Sequence, residues 1–502
     1  MLRESLNDWE DYLTKLISNN SSSNSNEFDP TLYKIQGQLA VIKEVRLGVF
    51  KSTNVLNCLH NPSVDHLGKD TETHNIEFFN KRLNSNQQNA VQSALLTDDY
   101  ALIQGPPGTG KTTVITEICR QLYHKNAKVR VLITSETHVA VNNVLENLIQ
   151  YYPHEKIFRI GNKEEGSDIP TLNVTLNKLH EQYLNHFNGE DSFINTIFNN
   201  LLADESRKSM EFAFASSVNF VGMTCNKIST FKFPVGESRS NNILFDYVII
   251  DEAAKATFPE LLLALSKADK AIIVGDPKQL PPVFCMEEIE LQNEMGLDLP
   301  NKRFIDFLYK NTPKAKNSFL NKQFRMPYEI GNLVSECFYE GKLENGLDKV
   351  VVDPLVWVDY SNKAEENKWP KKGSKVVCNL TEVDLIIKTI KKYKLSAEDT
   401  IILSPYKRQI KLIKDRLLKE SLNNYRVFTI DAVQGKDEKN IIYSLTRNVG
   451  SMRFFSEPRR LNVSFSRVKE RMFIIGSSFY AKKSQFLKPF YEKSKKIYFD
   501  NL

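Results

Sequence analysis

The stretch ALIQGPPGTGKTTVITEICRQL, residues 101–122, passes from an apolar strand pattern through a glycine-rich turn into a helical pattern. It matches the spacing G-x-x-x-x-G-K-[ST], whose four fixed positions are filled by Gly105, Gly110, Lys111 and Thr112. Successive N–H groups in such a turn surround an anion at the positive end of the following helix. The stretch therefore predicts a nucleotide phosphate site at the carboxyl end of a strand.

Each residue type in this turn has a chemical role. We expect Gly105, Gly108 and Gly110 to adopt positive φ, which glycine reaches without steric cost. The Lys111 ammonium is expected to reach the β- and γ-phosphates, and the Thr112 hydroxyl is expected to bind Mg²⁺. Thr113 follows as a further nucleotide contact. A chance match occurs in roughly one or two chains of this length in a hundred, and the flanking strand and helix make it rarer still.

Composition favours a soluble machine with several domains. The chain has 502 residues, of which 41% are hydrophobic and 25% charged, as is usual for globular proteins with two to four domains. No apolar run approaches the ~18 residues of a membrane span, and the acidic start MLRESLNDWEDYL does not match a signal peptide. We therefore expect no membrane association and a cytoplasmic or nuclear location. The net charge of +6 is compatible with nucleic acid but does not demonstrate it.

The cysteines do not form a recognisable metal or disulfide pattern. Six cysteines lie far apart without any C-x-x-C pair, which argues against a disulfide framework, an iron–sulfur cluster or a zinc ribbon. Cys58, His60, His66 and His74 lie close together, but their spacing matches no ligand pattern. We interpret them as ordinary loop residues, with a zinc site as the weaker alternative.

The order of apolar segments predicts the domain organisation. Residues 1–82 form an accessory segment, in which a helical start and the linker NNSSSNSNEF precede two expected short strands at 33–50. Beyond it, apolar strands alternate with amphipathic helices, which is typical of an α/β fold with parallel sheets covered on both faces. The predicted domains are 83–312 and 313–502, and residues 171–216 of the first form an inserted helical subdomain.

A second polar site follows the strand pattern in DYVIIDEAAKA, residues 246–256. An acidic pair after a strand is often surface charge, but behind a phosphate loop it becomes a strong indication of catalysis. Asp251 is expected beside the Mg²⁺ held by Thr112, with Glu252 as general base for the attacking water. Gln279 follows the next strand, in GDPKQLPP, where its amide could contact both the γ-phosphate and the water.

Six motifs occur in a fixed order along the chain. They are GPPGTGKT, DEAA, GDPKQLPP, NKQFRMPYEIGNLVSECFYEGKL, IDAVQGKDEKNIIYSLTR and RRLNVSFSRVKERMFIIG. Together they resemble the superfamily 1B helicases of the branch that includes the nonsense-mediated-decay helicase and senataxin. The resemblance covers residues 83 to 478. It implies two tandem RecA-like domains with ATP in the cleft between them, moving 5′→3′ on a single strand of DNA or RNA. We expect the chain to act as a monomer.

The resemblance also implies roles for individual residues. Gln87 in LNSNQQNAV would contact the adenine edge, and Phe324 in QFRM would stack on the base. Arg325 and Arg467 occupy the two arginine-finger positions of the family. Charge that develops on a transferred phosphoryl group requires planar donors that are always charged, which suits arginine.

Two motifs depart from the family pattern. After QG and one basic residue, the usual glutamate is replaced by Asp437, which is followed by Glu438, so either carboxylate could take part in coupling. The strand-contacting motif reads ETHVAVN, in which Thr137 and His138 replace serine and asparagine. Small hydroxyl side chains on loops suit sequence-independent phosphate contacts. The expected nucleic-acid contacts are Thr137, His138, Thr224, Ser404 and Thr429.

Other functions fit the sequence less well. A GTPase would need N-K-x-D, whereas the nearest match, GNKEEG, has Glu165 in the last position. A ring-forming ATPase takes its arginine from a neighbouring subunit, whereas both candidates here lie in the same chain. No carboxylate cluster with nuclease spacing is left over. The alternative to a helicase is an ATPase switch that clamps or remodels nucleoprotein without processive unwinding, and protein partners in repair, RNA decay or defence are all compatible with the sequence.

Overall fold

The computed structural model describes residues 2–20, 30–50, 52–63, 76–161, 175, 204–231, 245–299, 303–348, 350–361, 369, 376–433, 435–452, 454 and 456–501. The chain divides into two compact units. The first consists of Met1–Gly105, Lys111–Pro277 and Pro281–Leu320. The second consists of Asn321–Leu502 together with two short segments, Pro106–Gly110 and Lys278–Leu280.

The regular secondary structure in the described part of the accessory segment is all helical. It contains α1 (Leu2–Asn20), α2 (Pro30–Arg46) and α3 (Thr53–His60). The expectation of two strands at 33–50 is therefore wrong. Ile35, Ile42 and Val45 are buried at helical spacing on α2 and belong to an apolar cluster of the first unit. This tertiary packing outweighs the strand preference of β-branched residues. Cys58 and His60, interpreted from the sequence as loop residues, lie on α3. His66 and His74 of the weaker zinc alternative lie outside the described residues.

The first unit is built on a seven-stranded parallel sheet. Its strands are β1 (Tyr100–Gln104), β2 (Val131–Ser135), β3 (Ile157–Arg159), β4 (Phe220–Thr224), β5 (Phe245–Asp251), β6 (Ala268–Gly275) and β7 (Asn317–Phe319). They lie in the order β3-β4-β2-β5-β6-β1-β7. The helices are α4 (Ser85–Leu96), α5 (Lys111–Lys125), α6 (His138–Ile149), α7 (Asp204–Ser217), α8 (Cys225–Thr230), α9 (Phe258–Leu265), α10 (Met286–Glu294) and α11 (Phe304–Asn311).

Helices cover both faces of this sheet. Alternate strand residues point to opposite faces, and neighbours such as Leu102 and Ile103 belong to two separate apolar clusters. One cluster includes residues of α1, α2 and α9, and the other includes residues of α4, α5 and α6. This arrangement confirms the α/β class and the RecA-like architecture. Most of the predicted insertion at 171–216 lies outside the described residues, and α7 covers its end.

The second unit contains a six-stranded parallel sheet. Its strands are β10 (Leu355–Asp359), β11 (Thr400–Ser404), β12 (Arg426–Thr429), β13 (Glu438–Ser444), β14 (Val468–Ile475) and β15 (Lys495–Tyr498), in the order β12-β11-β13-β14-β10-β15. The short strands β8 (Lys322–Gln323) and β9 (Glu344–Asn345) pair separately. The helices are α12 (Tyr328–Phe338), α13 (Leu380–Tyr393), α14 (Lys407–Lys419), α15 (Ile430–Val433), α16 (Pro458–Phe465), α17 (Ser478–Ala481) and α18 (Lys488–Lys493).

Strand register gathers the polar residues of each unit at one edge of its sheet. In the first unit, Gln104 lies beside Gly275, and Ser135 lies beside both Thr224 and Asp251. Ligand sites in parallel α/β sheets form at the carboxyl ends of the strands.

None of the helices in the described residues is long and apolar enough to cross a membrane.

Candidate functional site

The phosphate loop connects β1 to the start of α5. Gly108 has φ +75° and Gly110 has φ +81°, angles that side-chain-bearing residues rarely adopt. The expectation of positive φ is wrong for Gly105, which is a glycine for another reason: a Cβ there would lie 2.3 Å from Cγ of Lys111. The lysine folds back over this position, and its Nζ donates to the Gly105 carbonyl at 3.2 Å.

The same lysine meets the carboxylates that follow β5. Lys111 Nζ lies 3.4 Å from Glu252 Oε1, and both side chains are mostly buried. Glu252 has φ +52°, and its N–H donates to Asp251 Oδ1 at 2.8 Å. Burial, reinforced by the Glu252 carboxylate, raises the pKa of Asp251. The structure thus brings Lys111, Asp251 and Glu252 together.

The residues present fit a magnesium ion bound with a phosphate. Thr112 follows Lys111 at the start of α5, and Asp251 provides a buried carboxylate. Hydroxyl and carboxylate oxygens are ligands that Mg²⁺ accepts, usually with phosphate oxygens and water completing the set. Two adjacent carboxylates beside one lysine also leave negative charge that a divalent cation would offset. The described residues contain no group of three His, Cys, Asp or Glu that could hold a metal unaided. Thr113, the third residue of α5, is exposed.

Two residues that support this corner were missed by the sequence analysis. A Cβ on Gly275 would lie 3.1 Å from the backbone nitrogens of Ala253 and Ala254, so the glycine permits the turn after Glu252 to approach β6. Tyr309 on α11 is half-buried, and its hydroxyl donates to the Ile103 carbonyl at 3.1 Å. Gly275 could have been suspected from its place at a strand end, whereas Tyr309 carries no local sequence signal.

In the second unit, Gln279 and Arg467 form a buried pair. Arg467 Nη2 donates to Gln279 Oε1 at 3.0 Å, and its Nε donates to the Val463 carbonyl at 2.9 Å. Only 1% of Gln279 and 4% of Arg467 is exposed. The side chain of Arg467 is therefore held in one orientation by α16 and by this amide.

Arg325 is held by a different set of partners. Its Nη2 lies 2.6 Å from Asp437 Oδ2, and its Nη1 donates to the Ser466 carbonyl at 3.1 Å. Burial tends to raise the pKa of Asp437, but the Arg325 guanidinium and the Lys469 ammonium hold that pKa below its usual range. Glu438 instead pairs with Arg426 at 2.6 Å. Of the two carboxylates left open by the sequence, Asp437 is the one beside the arginine.

The two residues expected at the base differ in accessibility. Gln87 is buried, and its Oε1 accepts the Asn84 N–H at 3.0 Å in a capping box at the start of α4. Phe324 is 42% exposed. A Cβ on Gly346 would lie 2.4 Å from the Phe324 ring, so this glycine lets the ring lie against the backbone after β9.

The nucleic-acid candidates of the first unit lie at helix starts beside the sheet edge. Thr137 caps α6 by accepting the Ala140 N–H at 3.3 Å, and Thr224 caps α8 in the same way. His138 Nδ1 lies 2.9 Å from Nη2 of Arg159, so the arginine can donate to it. Burial lowers the pKa of Arg159 to about 10. Arg159 was missed because only the fold brings it beside His138.

The candidates of the second unit lie at the corresponding edge of its sheet. Ser404 and Thr429 are register partners at the ends of β11 and β12. The Ser404 hydroxyl is buried and lies 2.9 Å from the hydroxyl of Thr446, whereas Thr429 is half-buried. Beneath them, the buried Glu382 accepts the Thr446 N–H at 2.8 Å and the Ser444 hydroxyl at 2.6 Å. Burial raises the pKa of Glu382 to about 7.

Comparison with known proteins gives consistent matches along the chain. Two family models described as AAA domain match, one over residues 82–212 and 199–287 and the other over residues 301–479. An uncharacterised ATP-dependent helicase of Methanocaldococcus jannaschii is 27% identical over 471 residues, covering 80% of this chain and 69% of the relative. Among solved structures, that of the PRRSV helicase has a TM-score of 0.39 and 15% identity, covering 78% of this chain and 55% of that one.

Two eukaryotic relatives are longer than the matched region. The DNA replication ATP-dependent helicase/nuclease DNA2 of Homo sapiens is 29% identical over 456 residues, which cover 82% of this chain and 38% of the relative. The DNA polymerase alpha-associated DNA helicase A of Saccharomyces cerevisiae is 28% identical over 459 residues, covering 80% of this chain and 65% of the relative. With the ordered motifs and the paired Lys111 and Glu252, the two family models and the sequence relatives show that the chain belongs to the ATP-dependent superfamily 1 helicases, in the branch of the nonsense-mediated-decay helicase and senataxin.

Proposed function

We propose that this chain hydrolyses ATP with Mg²⁺ and uses the free energy to move 5′→3′ along a single strand of DNA or RNA, separating duplex ahead of it. The observation that carries the proposal is the corner formed by Lys111, Asp251 and Glu252. A phosphate-binding lysine lies 3.4 Å from a carboxylate that follows a buried strand. Binding of phosphate and activation of water are thereby available within one corner of the first unit.

The proposed chemistry is divided among several residues. Lys111 and the loop N–H groups bind the phosphates, while Thr112 and Asp251 would hold Mg²⁺, which supplies charge neutralisation at the phosphate oxygens. Glu252 accepts the proton of the attacking water as general base. Gln279 orients that water through its amide, which can accept and donate at once.

The arginines supply transition-state stabilisation. Arg325 and Arg467 are fixed by hydrogen bonds at 3.1 Å to a carbonyl and 3.0 Å to an amide respectively. A guanidinium that is already oriented loses less conformational entropy when it contacts the phosphoryl oxygens. Such a residue contributes ~10³-fold or more to hydrolysis. Because both are in this chain, a monomer suffices for turnover.

Contacts with the strand rest on hydroxyls and backbone groups rather than on base-reading side chains. Thr137 and Thr224 lie at the edge of the first sheet, and Thr429 lies at the edge of the second. Contacts of this kind hold phosphates without reading sequence. The chain should therefore accept strands of any sequence, and protein partners in repair, RNA decay or defence would choose its target. A nucleic-acid substrate also supports the proposal that it works in the cytoplasm or nucleus, which imaging of the tagged protein in its own cells would test.

Direction and unwinding can be tested together. We propose to measure strand separation with ATP on duplexes that carry a single-stranded tail on either the 5′ or the 3′ side, in DNA and in RNA. Separation that requires the 5′ tail is expected, whereas separation that requires the 3′ tail would contradict the direction. Strand-stimulated ATPase without any separation would instead support the second candidate, an ATPase switch that clamps or remodels nucleoprotein.

A further inference from the structure

An aromatic and arginine cluster lies at the edge of the second sheet. Tyr406 follows β11, and its ring centroid lies 5.3 Å from that of Phe454, in the loop between β13 and α16. The Arg460 guanidinium lies 4.2 Å from the centroid of Phe454, and that of Arg447 lies 5.6 Å from the centroid of Tyr406. These four residues are called the Phe454 platform.

The platform is partly open to solvent and positively charged. Phe454 remains 41% exposed even though Arg460 and Tyr406 lie against its ring. Neither Arg447 nor Arg460 makes an ion pair with a carboxylate among the described residues, and the Nε of each is buried without a hydrogen-bond partner there. The first turn of α14 adds further cations beside Tyr406, the exposed Lys407 and Arg408. A partly exposed ring with one guanidinium group against it, and a second beside the neighbouring Tyr406, suits a ligand that is both aromatic and anionic.

The platform is connected directly to the residues proposed to contact the strand. Ser404 accepts the Tyr406 N–H at 3.4 Å, and its hydroxyl bonds that of Thr446, the residue before Arg447. Thr446 has φ +69°, an unusual angle for a threonine, and Glu382 holds its N–H. Strain of this kind persists only where surrounding contacts enforce it. The backbone from which Arg447 projects is therefore fixed.

Hydrogen bonds join residues on the two sides of Phe454. The Ser456 N–H and hydroxyl both bond the Met452 carbonyl, at 3.0 Å and 2.8 Å. Glu457 then caps α16 by accepting the Arg460 N–H at 2.8 Å. Met452 and Ser456, two residues before and two after Phe454, are thus hydrogen-bonded to each other, and Arg460 lies in the first turn of a capped helix.

We propose that the Phe454 platform binds one nucleotide of the translocating single strand, the base stacking on the exposed Phe454 ring and the adjoining phosphates facing Arg447 and Arg460. The proposal rests on the proposed helicase function. It adds a contact to a base of the single strand, whereas the threonine hydroxyls contact only phosphates. Stacking on an aromatic ring is available to every base, so this contact adds affinity without adding sequence preference.

The test compares binding of a fluorescent single-stranded oligonucleotide by wild type, Phe454→Ala and Phe454→Trp. Loss of one stacked base should weaken binding by about 5- to 100-fold, whereas tryptophan should stay within a few-fold of wild type. Removing the ring removes no phosphate contact, so the dependence of log affinity on log salt should keep its slope in Phe454→Ala. Arg460→Ala should reduce that slope by about one.

A matched control is available in the first unit. Phe79 is 40% exposed and has the Arg120 guanidinium 4.6 Å from its ring centroid, but Arg120 lies on the part of α5 remote from the phosphate loop. Phe79→Ala should bind the strand as wild type does. Melting temperatures of all variants establish that they are folded.

An abasic strand separates stacking from a merely structural effect. The affinities of wild type and Phe454→Ala should converge on an oligonucleotide in which every base is removed but every phosphate is kept. Unchanged binding by Phe454→Ala on the normal strand, or an equal loss on normal and abasic strands, would overturn the platform. Failure of wild type itself to bind any single strand would instead contradict the proposed function.

Discussion

Lys111 Nζ lies 3.4 Å from Glu252 Oε1, so the lysine of the phosphate loop and the carboxylate after β5 form an ion pair. The pair joins two segments that are far apart in the chain. It also constrains the glutamate, whose backbone is left-handed at φ +52°. Strained backbone conformations occur most often at functional sites, so the left-handed backbone of Glu252 supports a catalytic role for its carboxylate.

Glu252→Gln should abolish most hydrolysis while ATP binding persists. The amide cannot accept a proton from water, and loss of a general base costs ~10²-fold or more in turnover. Lys111→Ala serves as the contrasting variant, because it should weaken ATP binding as well. Steady-state ATPase rates and equilibrium binding of a fluorescent ATP analogue measure the two effects. Turnover in Glu252→Gln equal to wild type would show that the glutamate is not the base.

Arg325→Ala and Arg467→Ala should each depress turnover strongly with a smaller change in ATP affinity, because the guanidinium acts mainly in the transition state. Arg426→Ala, which removes an exposed arginine paired with Glu438 at 2.6 Å, is the control and should retain activity. Mixing either variant with Lys111→Ala protein distinguishes the source of the arginine. Restored activity in the mixture would mean that the arginine acts between subunits.

The titration of Glu382 should appear in the pH dependence of stability. Burial raises its pKa to about 7, so the folded state keeps a proton that the unfolded chain releases near the ordinary value of 4.5. Because the folded state binds more protons in this window, the free energy of unfolding should fall as pH rises from 4.5 to 7, by at most ~3 kcal/mol. Glu382→Gln should flatten that slope in urea titrations. Glu492→Gln, an exposed change in the same unit, should preserve it, and a slope unaltered by Glu382→Gln would refute the assignment.

Binding of single strands should weaken steeply with salt. Hydroxyl, backbone and arginine contacts address phosphates, and each phosphate contact releases condensed counterions. A strand held at about four phosphates should lose on the order of 50-fold in affinity between 50 and 200 mM salt. Anisotropy titrations with strands of unrelated sequence measure both the slope and its independence of sequence. Affinity that stays flat across this range would argue against a phosphate-binding path.

The sequence predicts those features that depend on local pattern. The phosphate loop, Asp251 after β5 and the two parallel sheets follow from the alternation of apolar segments and turn residues, and the structure has them. The strand prediction at 33–50 is wrong because its β-branched residues favour strands, whereas packing within the first unit makes most of this segment part of α2. Tyr309 and Arg159 could not be found, since their contacts join elements that only the fold brings together.

Among the residues expected to contact nucleotide and nucleic acid, the partners of individual side chains also depend on the fold. Asp437 and Glu438 are adjacent in sequence, and no local rule chooses between them. The structure pairs Asp437 with Arg325 and Glu438 with Arg426. Ser404 was expected from its motif, but its buried bond to the Thr446 hydroxyl depends on the neighbouring strand β13.

The most direct test of the account is the ATPase rate of the wild-type chain with Mg²⁺. The rate is measured without nucleic acid, with single-stranded DNA and with single-stranded RNA. Glu252→Gln is measured under the same three conditions. The account predicts a low basal rate, clear stimulation by at least one of the two strands, and almost no rate in the variant under any condition. A wild-type rate that neither strand changes would contradict the coupling of hydrolysis to nucleic acid.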